Sequence, residues 1–432
     1  MTYGEVAERA WSWVLGQVCW DESGPWIAEA AGGAKPEEYV DGMHSGIGGL
    51  AHVLAEIRLT REWTPEESQL AAAIAERIRA AVPSSTTTTF FDGLVSSLGA
   101  LTALDASGAD AVVARLQELE LGDGWPQDFL AAPKYLPGAV ANDVTLGTGS
   151  ILLGALWALR HGVDAAALAN RAADLLLAER EEQSTGWNWR FVPRRFRTDE
   201  PAEMPNFSHG LAGIVAVLAL AAKELDRPEL VDAAGRGAEH LVTLGITDDR
   251  GFRVARVVPW SEQHGDEFTY NWCHGGAGTA LAFTALEYAD VQQIAGETPR
   301  TWRRRCLDGV RSSGIPERLH PGFWDNDGRC CGTAGVGDAF LDAWLLDGEQ
   351  QDLEFAVRMG DTLVEHASPE GYWRFVEHRN DDPLLPPGVG WMQGAAGISA
   401  YLFRLQRMLD GDRRAVERME NWWVSAARPQ RS

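Results

Sequence analysis

A short pattern that recurs seven times along the chain constrains its fold more than any other feature. Each copy has a Gly, two small or apolar residues, a second Gly or small residue and an apolar run, as in HGLAGIVAVLAL from His209. The copies start 47 to 65 residues apart, which leaves room in each for two helices and a loop. The leading glycines are Gly46, Gly93, Gly147, Gly210, Gly275, Gly332 and Gly394.

Two kinds of helix should alternate within these repeats. The runs after the glycines are apolar on nearly all sides, which is typical of helices enclosed by others. The stretches between them, such as residues 67–82 and 165–180, have one apolar face at helical spacing and a charged opposite face. Seven such pairs predict an all-α fold, an α/α toroid of seven helical hairpins with an inner ring wrapped by an outer ring. We expect one domain over residues 1–432.

The two residues before each leading glycine should line one mouth of the toroid. Three of the five cysteines and three of the ten histidines fall on these fourteen positions. Since consecutive repeats are neighbours, the cysteines of repeats five and six should meet. The six residues are His44, His209, Cys273, His274, Cys330 and Cys331.

Three converging thiolates predict a metal site. Cys273, Cys330 and Cys331 would leave one coordination position open, which is typical of catalytic zinc, whereas a fourth protein ligand closes a structural site. Two alternatives remain at this point: a four-ligand site that includes His274, and thiols without a metal ion. Zn²⁺ held by the three cysteines is the prediction.

An acid–base pair is predicted beside this site. His209 and Asp143, which lies four residues before Gly147, should reach the same mouth. A histidine paired with a carboxylate suits proton transfer near neutral pH. Alternatively, His209 caps its helix and Asp143 pairs with an arginine. His274 is a third catalytic candidate, either as a hydrogen-bond donor to a substrate carbonyl or, in place of His209, as the proton donor. His44 is interpreted as structural.

Charge and hydropathy exclude several classes of partner. The chain has 62 acidic and 38 basic residues, a net charge of −24 that repels phosphate backbones and anionic lipid surfaces. The first residues do not resemble a secretory signal, and the apolar stretch from Gly213 to Ala222 is about half a membrane span. We expect a cytoplasmic protein with no nucleic-acid partner and no membrane span.

The motifs as a set resemble those of the lanthionine synthetase C-like proteins. SHGLAG around His209, NWCHGGAG around Cys273, the Cys-Cys-Gly segment at Cys331 and NDVTLGTGS at Asp143 match that family's signature segments in order. The resemblance extends over all seven repeats. It implies an α/α toroid, a zinc ion on Cys273, Cys330 and Cys331, and acid–base roles for His209 and Asp143.

The resemblance also implies an activity. Such a cyclase adds a cysteine thiol to dehydroalanine or dehydrobutyrine within a dehydrated precursor peptide, which forms lanthionine or methyllanthionine. The chain contains no dehydratase segment, so a separate dehydratase is expected as a partner. We therefore predict an enzyme, a peptide thioether cyclase.

One position departs from the family's usual pattern. Most members have histidine where this chain has Cys331. A third thiolate adds a negative charge to the site, makes the metal a weaker Lewis acid and leaves a bound substrate thiolate more nucleophilic. The departure predicts a reactive and relatively tolerant cyclase.

Three other functions are compatible with the sequence. The thiol could come from glutathione in an intermolecular addition, or the protein could keep its zinc and bind without turnover. A glycosidase with Asp325 and Asp327 as its carboxylate pair is the third.

Aromatic and arginine residues in the longer loops could form a peptide-binding rim or could be packing. These residues are Trp187, Trp189, Arg190, Arg194, Arg195, Trp260, Trp324, Trp373, Arg374 and Trp391.

Overall fold

α-Helices are the main secondary structure of the computed structural model, which describes residues 1–200, 202–317, 326–376 and 383–427. The helices are α1 (Tyr3–Leu15), α2 (Gly49–Thr60), α3 (Pro65–Ala81), α4 (Leu94–Ala103), α5 (Ala109–Glu118), α6 (Thr148–Arg160), α7 (Ala166–Ala178), α8 (Leu211–Glu224), α9 (Pro228–Leu244), α10 (Gly276–Tyr288), α11 (Pro299–Arg311), α12 (Thr333–Asp347), α13 (Gln350–His366), α14 (Ala395–Leu409) and α15 (Trp422–Ala426). Three antiparallel hairpins join β1 (Cys19–Asp21) to β2 (Gly24–Trp26), β3 (Glu181–Gln183) to β4 (Gly186–Asn188), and β5 (Gly245–Asp248) to β6 (Gly251–Val254).

The repeated glycines mark where the buried helices begin. Six of the seven leading glycines are N-cap residues, the exception being Gly46, because α2 starts after Gly48. The preceding loop folds back over each helix start. A Cβ atom at Gly210 would lie 1.6 Å from the Met204 carbonyl oxygen, and one at Gly335 would lie 1.8 Å from that of Arg329. A side chain at either position would displace the loop.

The predicted alternation of buried and amphipathic helices is present. All residues of α8 from Leu211 to Ala222 are buried. Its neighbour in the chain, α9, buries one face, with Leu230, Ala234 and Leu241 among the buried residues. Acidic and basic residues occupy the other face of α9, as expected for a helix that is half exposed to solvent.

A first group of segments consists of residues 1–85, 91–112 and 314–418, as far as these are described. Within it α12 packs on α13, and α14 packs on both α1 and α2. The amphipathic partner of the last buried helix is therefore the first helix of the chain. A buried ion network includes Glu56 and Asp338, which the Arg418 guanidinium joins at 3.2 and 2.6 Å.

The second group consists of residues 86–90, 113–313 and 419–432, again as far as described. Here α6 packs on α7, α8 on α9 and α10 on α11, and α8 also contacts both α6 and α10. Near the end of the chain, the Trp423 indole N–H donates to the Leu281 carbonyl oxygen at 3.1 Å. Whether residues 1–432 are one domain stays a prediction. No helix in the described ranges has the length and apolar character needed to span a membrane.

Candidate metal centre and acid–base pair

Asp143 lies fully buried in the loop before α6, where four hydrogen-bond donors surround its carboxylate. The Thr145 hydroxyl lies 2.7 Å from Oδ2, and the Leu146 backbone N–H donates from 3.2 Å. The Thr145 backbone N–H is 3.4 Å away, and His209 Nδ1 lies 2.9 Å from Oδ2. These contacts fix the orientation of the Asp143 carboxylate.

His209 is oriented by this carboxylate. With Nδ1 directed at Asp143, Nε2 is the ring nitrogen left for a substrate. About a fifth of the side chain is exposed to solvent. The ring packs edge-on against Phe191 at 5.8 Å and lies 5.3 Å from the His274 ring. The structure thus brings three of the predicted catalytic residues together.

Asn271 organises the neighbouring loop, in which Cys273 is almost fully buried. The Asn271 Oδ1 atom accepts the backbone N–H of His274 at 3.0 Å and lies 3.6 Å from Cys273 Sγ. The carbonyl oxygen of Cys273 accepts the backbone N–H of Ser208 at 2.8 Å. Backbone contacts therefore tie the loop of Cys273 to the residue before His209.

Cys330 and Cys331 lie in the loop before α12, and both are buried. The Met392 carbonyl oxygen accepts the backbone N–H of Cys330 at 3.0 Å, and Gln393 Nε2 donates to Cys331 Sγ at 3.3 Å. His44 forms a side-chain hydrogen bond with Cys330. Burial would lower the pKa of His44, but the hydrogen bond to Cys330 and nearby negative charge outweigh it and raise the pKa.

The sulfur atoms of Cys273, Cys330 and Cys331 all lie within 4.8 Å of one another. A Zn–S bond is about 2.3 Å long, so sulfurs this close can bind one ion with small side-chain adjustments. The cluster could therefore bind a metal ion, and thiolate ligands suit zinc among other soft metals.

Two contributors to the site were not foreseen from the sequence. Thr145 contacts Asp143 and lies 3.1 Å from His209 Nδ1, and Gln393 contacts Cys331. Both occupy one of the two positions before a leading glycine, so the repeat register could have identified them. The interpretation of His44 as structural also omits its contact with Cys330.

Three tryptophans of the predicted aromatic rim are packing residues, while Arg194, Arg195 and Arg374 are exposed. Trp189, Trp373 and Trp391 are at most 2% exposed, whereas Trp260 is 39% exposed. Trp324 lies outside the described residues. The buried tryptophans cannot stack on a peptide at the surface.

The carboxylate pair of the glycosidase alternative is only half described. Asp327 Oδ2 lies 3.0 Å from His366 Nδ1, and this hydrogen bond raises the pKa of His366. Asp325 lies outside the described residues. Asp327 is therefore engaged with a histidine on α13.

Comparisons with known proteins agree on one architecture. A family model described as lanthionine synthetase C-like protein matches residues 38–419. The structure is similar to that of nisin cyclase, with a TM-score of 0.59 and 14% sequence identity over 91% of this chain and 94% of that one. A comparison with curated protein sequences gives no significant match.

Two further solved structures are more distant. The Lin0763 protein of Listeria innocua has a TM-score of 0.51 and 10% identity, over 96% of this chain and 100% of that one. The family 76 glycoside hydrolase Bt3792, a mannosidase of Bacteroides thetaiotaomicron, has a TM-score of 0.51 and 11% identity, over 95% and 99%. At these identities the similarities show the fold alone. The fold is an α/α toroid, as the repeats predict.

Proposed function

Because the chain belongs to the lanthionine synthetase C-like family, we propose that it is a zinc-dependent peptide cyclase. The reaction adds a cysteine thiol to dehydroalanine or dehydrobutyrine in the same peptide and forms a lanthionine or methyllanthionine ring. One observation carries the proposal: three buried cysteine sulfurs lie within 4.8 Å of one another. The Asp143–His209 pair adjoins the loop of Cys273.

The three cysteines would hold Zn²⁺ and leave its fourth position for the substrate. When bound there, zinc lowers the pKa of a coordinated thiol so that it is deprotonated near neutral pH. A closed structural site would need a fourth protein ligand. His274 is a poor fourth ligand, because the adjacent residue Cys273 is itself a proposed zinc ligand and the His274 ring lies against His209.

His209 carries the proton in this proposal. Asp143 accepts from Nδ1, so the unprotonated Nε2 of His209 can take the proton of the substrate thiol. The thiolate forms a bond to the β-carbon, and the π electrons move to the α-carbon and its carbonyl. His209 Nε2 then returns the proton to the α-carbon. The product is an isomer of the substrate, so no co-reactant is needed.

His274 contributes to the same space. Its ring is 4% exposed and lies 5.3 Å from that of His209, while its backbone is anchored to Asn271 and Thr269. We assign it to a hydrogen bond with the substrate carbonyl that becomes negative during addition. The dehydrated residues must come from an earlier elimination of water, which is work for a separate dehydratase. Free thiols on both partners fit the reducing cytoplasm.

A synthetic peptide that contains one dehydroalanine and one cysteine tests the proposal. Since cyclisation leaves the mass unchanged, the product is treated with N-ethylmaleimide, which adds mass only to peptides that keep a free thiol. We expect zinc-loaded protein to protect the peptide from labelling. Cys273→Ser should lower both zinc content and protection, whereas Cys19→Ser, on the exposed β1 strand, should lower neither.

The same assay separates the other functions. Glutathione offered with a cysteine-free dehydroalanine peptide gives a heavier adduct if addition is intermolecular. Formation of that adduct without ring closure would contradict the cyclase proposal. Zinc binding with neither product would indicate a binding protein.

A further inference from the structure

Two of the predicted metal ligands each accept a hydrogen bond from a side chain of another repeat. Gln393, the residue before the N-cap of α14, donates from Nε2 to Cys331 Sγ at 3.3 Å. His44, from the loop before α2, forms a hydrogen bond with Cys330. These contacts lie outside the acid–base pair and the three ligands themselves.

His44 is held rigidly enough to direct this bond. Its backbone N–H donates to the Phe91 carbonyl oxygen at 3.1 Å, and its own carbonyl oxygen accepts the Met392 N–H at 3.0 Å. The ring packs edge-on against Phe91 at 5.1 Å. Its Nδ1 atom lies 2.9 Å from Ser45 Oγ, which leaves the other nitrogen for Cys330.

Gln393 belongs to a segment that forms both backbone and side-chain hydrogen bonds with the loop of Cys330 and Cys331. The carbonyl oxygen of Met392 accepts the backbone N–H groups of Arg329 and Cys330 at 2.9 and 3.0 Å. The next side chain along the segment, Gln393, reaches Cys331. A thiolate can only accept a hydrogen bond, so the amide nitrogen is the group that faces the sulfur.

We propose that His44 and Gln393 are positioning residues that hold the sulfurs of Cys330 and Cys331 and disperse their negative charge. This inference rests on the proposed zinc site. With the substrate bound, four sulfurs would surround one metal ion, and only the substrate sulfur should attack. A hydrogen bond from N–H makes a ligand thiolate less nucleophilic and fixes its direction, while a substrate sulfur without such a bond stays reactive.

The test replaces each donor without changing the ligands. His44→Phe and Gln393→Met remove the N–H groups at similar volume, and His44→Gln keeps a donor. His52→Phe is the matched control, because His52 is a buried histidine of α2 that packs on Trp391. Affinity for zinc is measured by competition with a chromogenic chelator, and the sulfur-to-metal charge-transfer band is recorded on the cobalt(II)-substituted protein.

We expect His44→Phe and Gln393→Met to bind zinc about 10- to 100-fold more weakly and to shift the cobalt charge-transfer band to longer wavelength. His44→Gln should restore much of both, and His52→Phe should match the wild type. If both donor variants retain wild-type affinity and band position, the proposal is overturned. If the wild type binds zinc but cyclises no peptide, the proposed cyclase function is wrong, and the zinc-affinity and cobalt measurements still test the roles of His44 and Gln393.

Discussion

At the scale of single residues, the Thr145 hydroxyl connects the acid–base pair to its surroundings. It lies 2.7 Å from Asp143 Oδ2 and 2.9 Å from the Ser208 carbonyl oxygen. The Thr145 hydroxyl has one hydrogen, so it donates to one of these two oxygen atoms and presents its lone pairs to His209 Nδ1. The two atoms nearest to Nδ1, Asp143 Oδ2 and Thr145 Oγ1, are then both acceptors, so the ring hydrogen of neutral His209 lies on Nδ1.

Asp143→Asn should slow cyclisation by about 10²- to 10⁴-fold. The amide presents either an N–H or a weaker acceptor to His209 Nδ1, so the ring loses the tautomer in which Nε2 can accept a proton. Zinc content, measured by metal analysis, should not change. Asp110→Asn, on the exposed side of α5, is the control. Equal rates for the two variants would remove Asp143 from the mechanism.

Cys331→His should give a slower and more selective enzyme. The imidazole removes one negative charge from the site, which makes the metal a stronger Lewis acid and holds the substrate thiolate more tightly. We expect kcat to fall at least about tenfold, or 1.4 kcal/mol of barrier. The measurement is kcat/KM over peptides with different cysteine-to-dehydroalanine spacings. A variant as fast and as broad as the wild type would contradict the charge argument, with Cys306→Ser as the control for a buried cysteine.

Residue-level reasoning from the sequence has a clear limit in this site. The repeat register placed Cys273, Cys330 and Cys331 among the two positions before a leading glycine, and the structure brings their sulfurs together. The hydrogen bonds made by His44 and Gln393 could not be predicted, because the direction of a side chain depends on contacts between distant parts of the chain. The roles of the site residues stay predictions.

At the scale of helices and strands, glycine spacing predicted the buried helices well. At leading glycines such as Gly147, Gly210 and Gly332, an earlier carbonyl group passes too close for a side chain, and that constraint is visible in the sequence. The pairing of α1 with α14 is not visible, because a repeat search compares only sequential neighbours. The short β-hairpins, such as β3 with β4 after α7, were also not predicted.

Tryptophans after the amphipathic helices have a common role that the sequence did not indicate. The indole N–H donates to a carbonyl oxygen near the end of the preceding helix, at 2.6 to 2.8 Å in the described cases. These bonds join Trp125 to Leu116, Trp189 to Leu176 and Trp373 to Leu363. A carbonyl group in the last turn of a helix lacks the usual N–H partner four residues later, so the indole N–H supplies a donor.

Trp189→Phe should lower the free energy of unfolding by about 0.5–1.5 kcal/mol, the net contribution of one hydrogen bond. The phenyl ring keeps most of the apolar contact but removes one of two donors to the buried Leu176 carbonyl oxygen, which keeps only the Glu179 backbone N–H at 3.2 Å. The urea midpoint of the variant is compared with that of Trp20→Phe, which changes a tryptophan that is 52% exposed. A midpoint for Trp189→Phe no lower than the control's would show that the hydrogen bond contributes nothing.

At the scale of the whole molecule, net charge and buried charge have different consequences. The net charge of −24 is a property of composition and predicts repulsion from anionic partners. The buried ion network is a property of the fold. Burial would raise the pKa of Asp338, but the charges of Arg329, Arg404 and Arg418 outweigh it and lower that pKa well below its usual range.

The same cations make one histidine a source of acid sensitivity. Burial in α2, with the charges of Arg418 and Arg329, lowers the pKa of His52 from 6.5 to about 3. In the unfolded chain His52 takes up a proton below about pH 6.5, whereas in the folded protein it stays neutral until about pH 3. Protons bound by unfolded His52 therefore favour unfolding below pH 6.5. The free energy of unfolding has its full value with respect to this group above pH 6.5 and decreases as the pH falls.

His52→Phe should flatten the decline of stability between pH 7 and pH 5. One pKa unit corresponds to about 1.4 kcal/mol, so at pH 5 the wild type should have lost about 2 kcal/mol through this group, and the variant should keep it. Urea midpoints at the two pH values give the comparison, with His161→Phe as an exposed control. Carboxyl groups ionise mostly below this range, so they affect both proteins alike. Parallel losses in the wild type and His52→Phe would mean that His52 does not set the acid sensitivity of the fold.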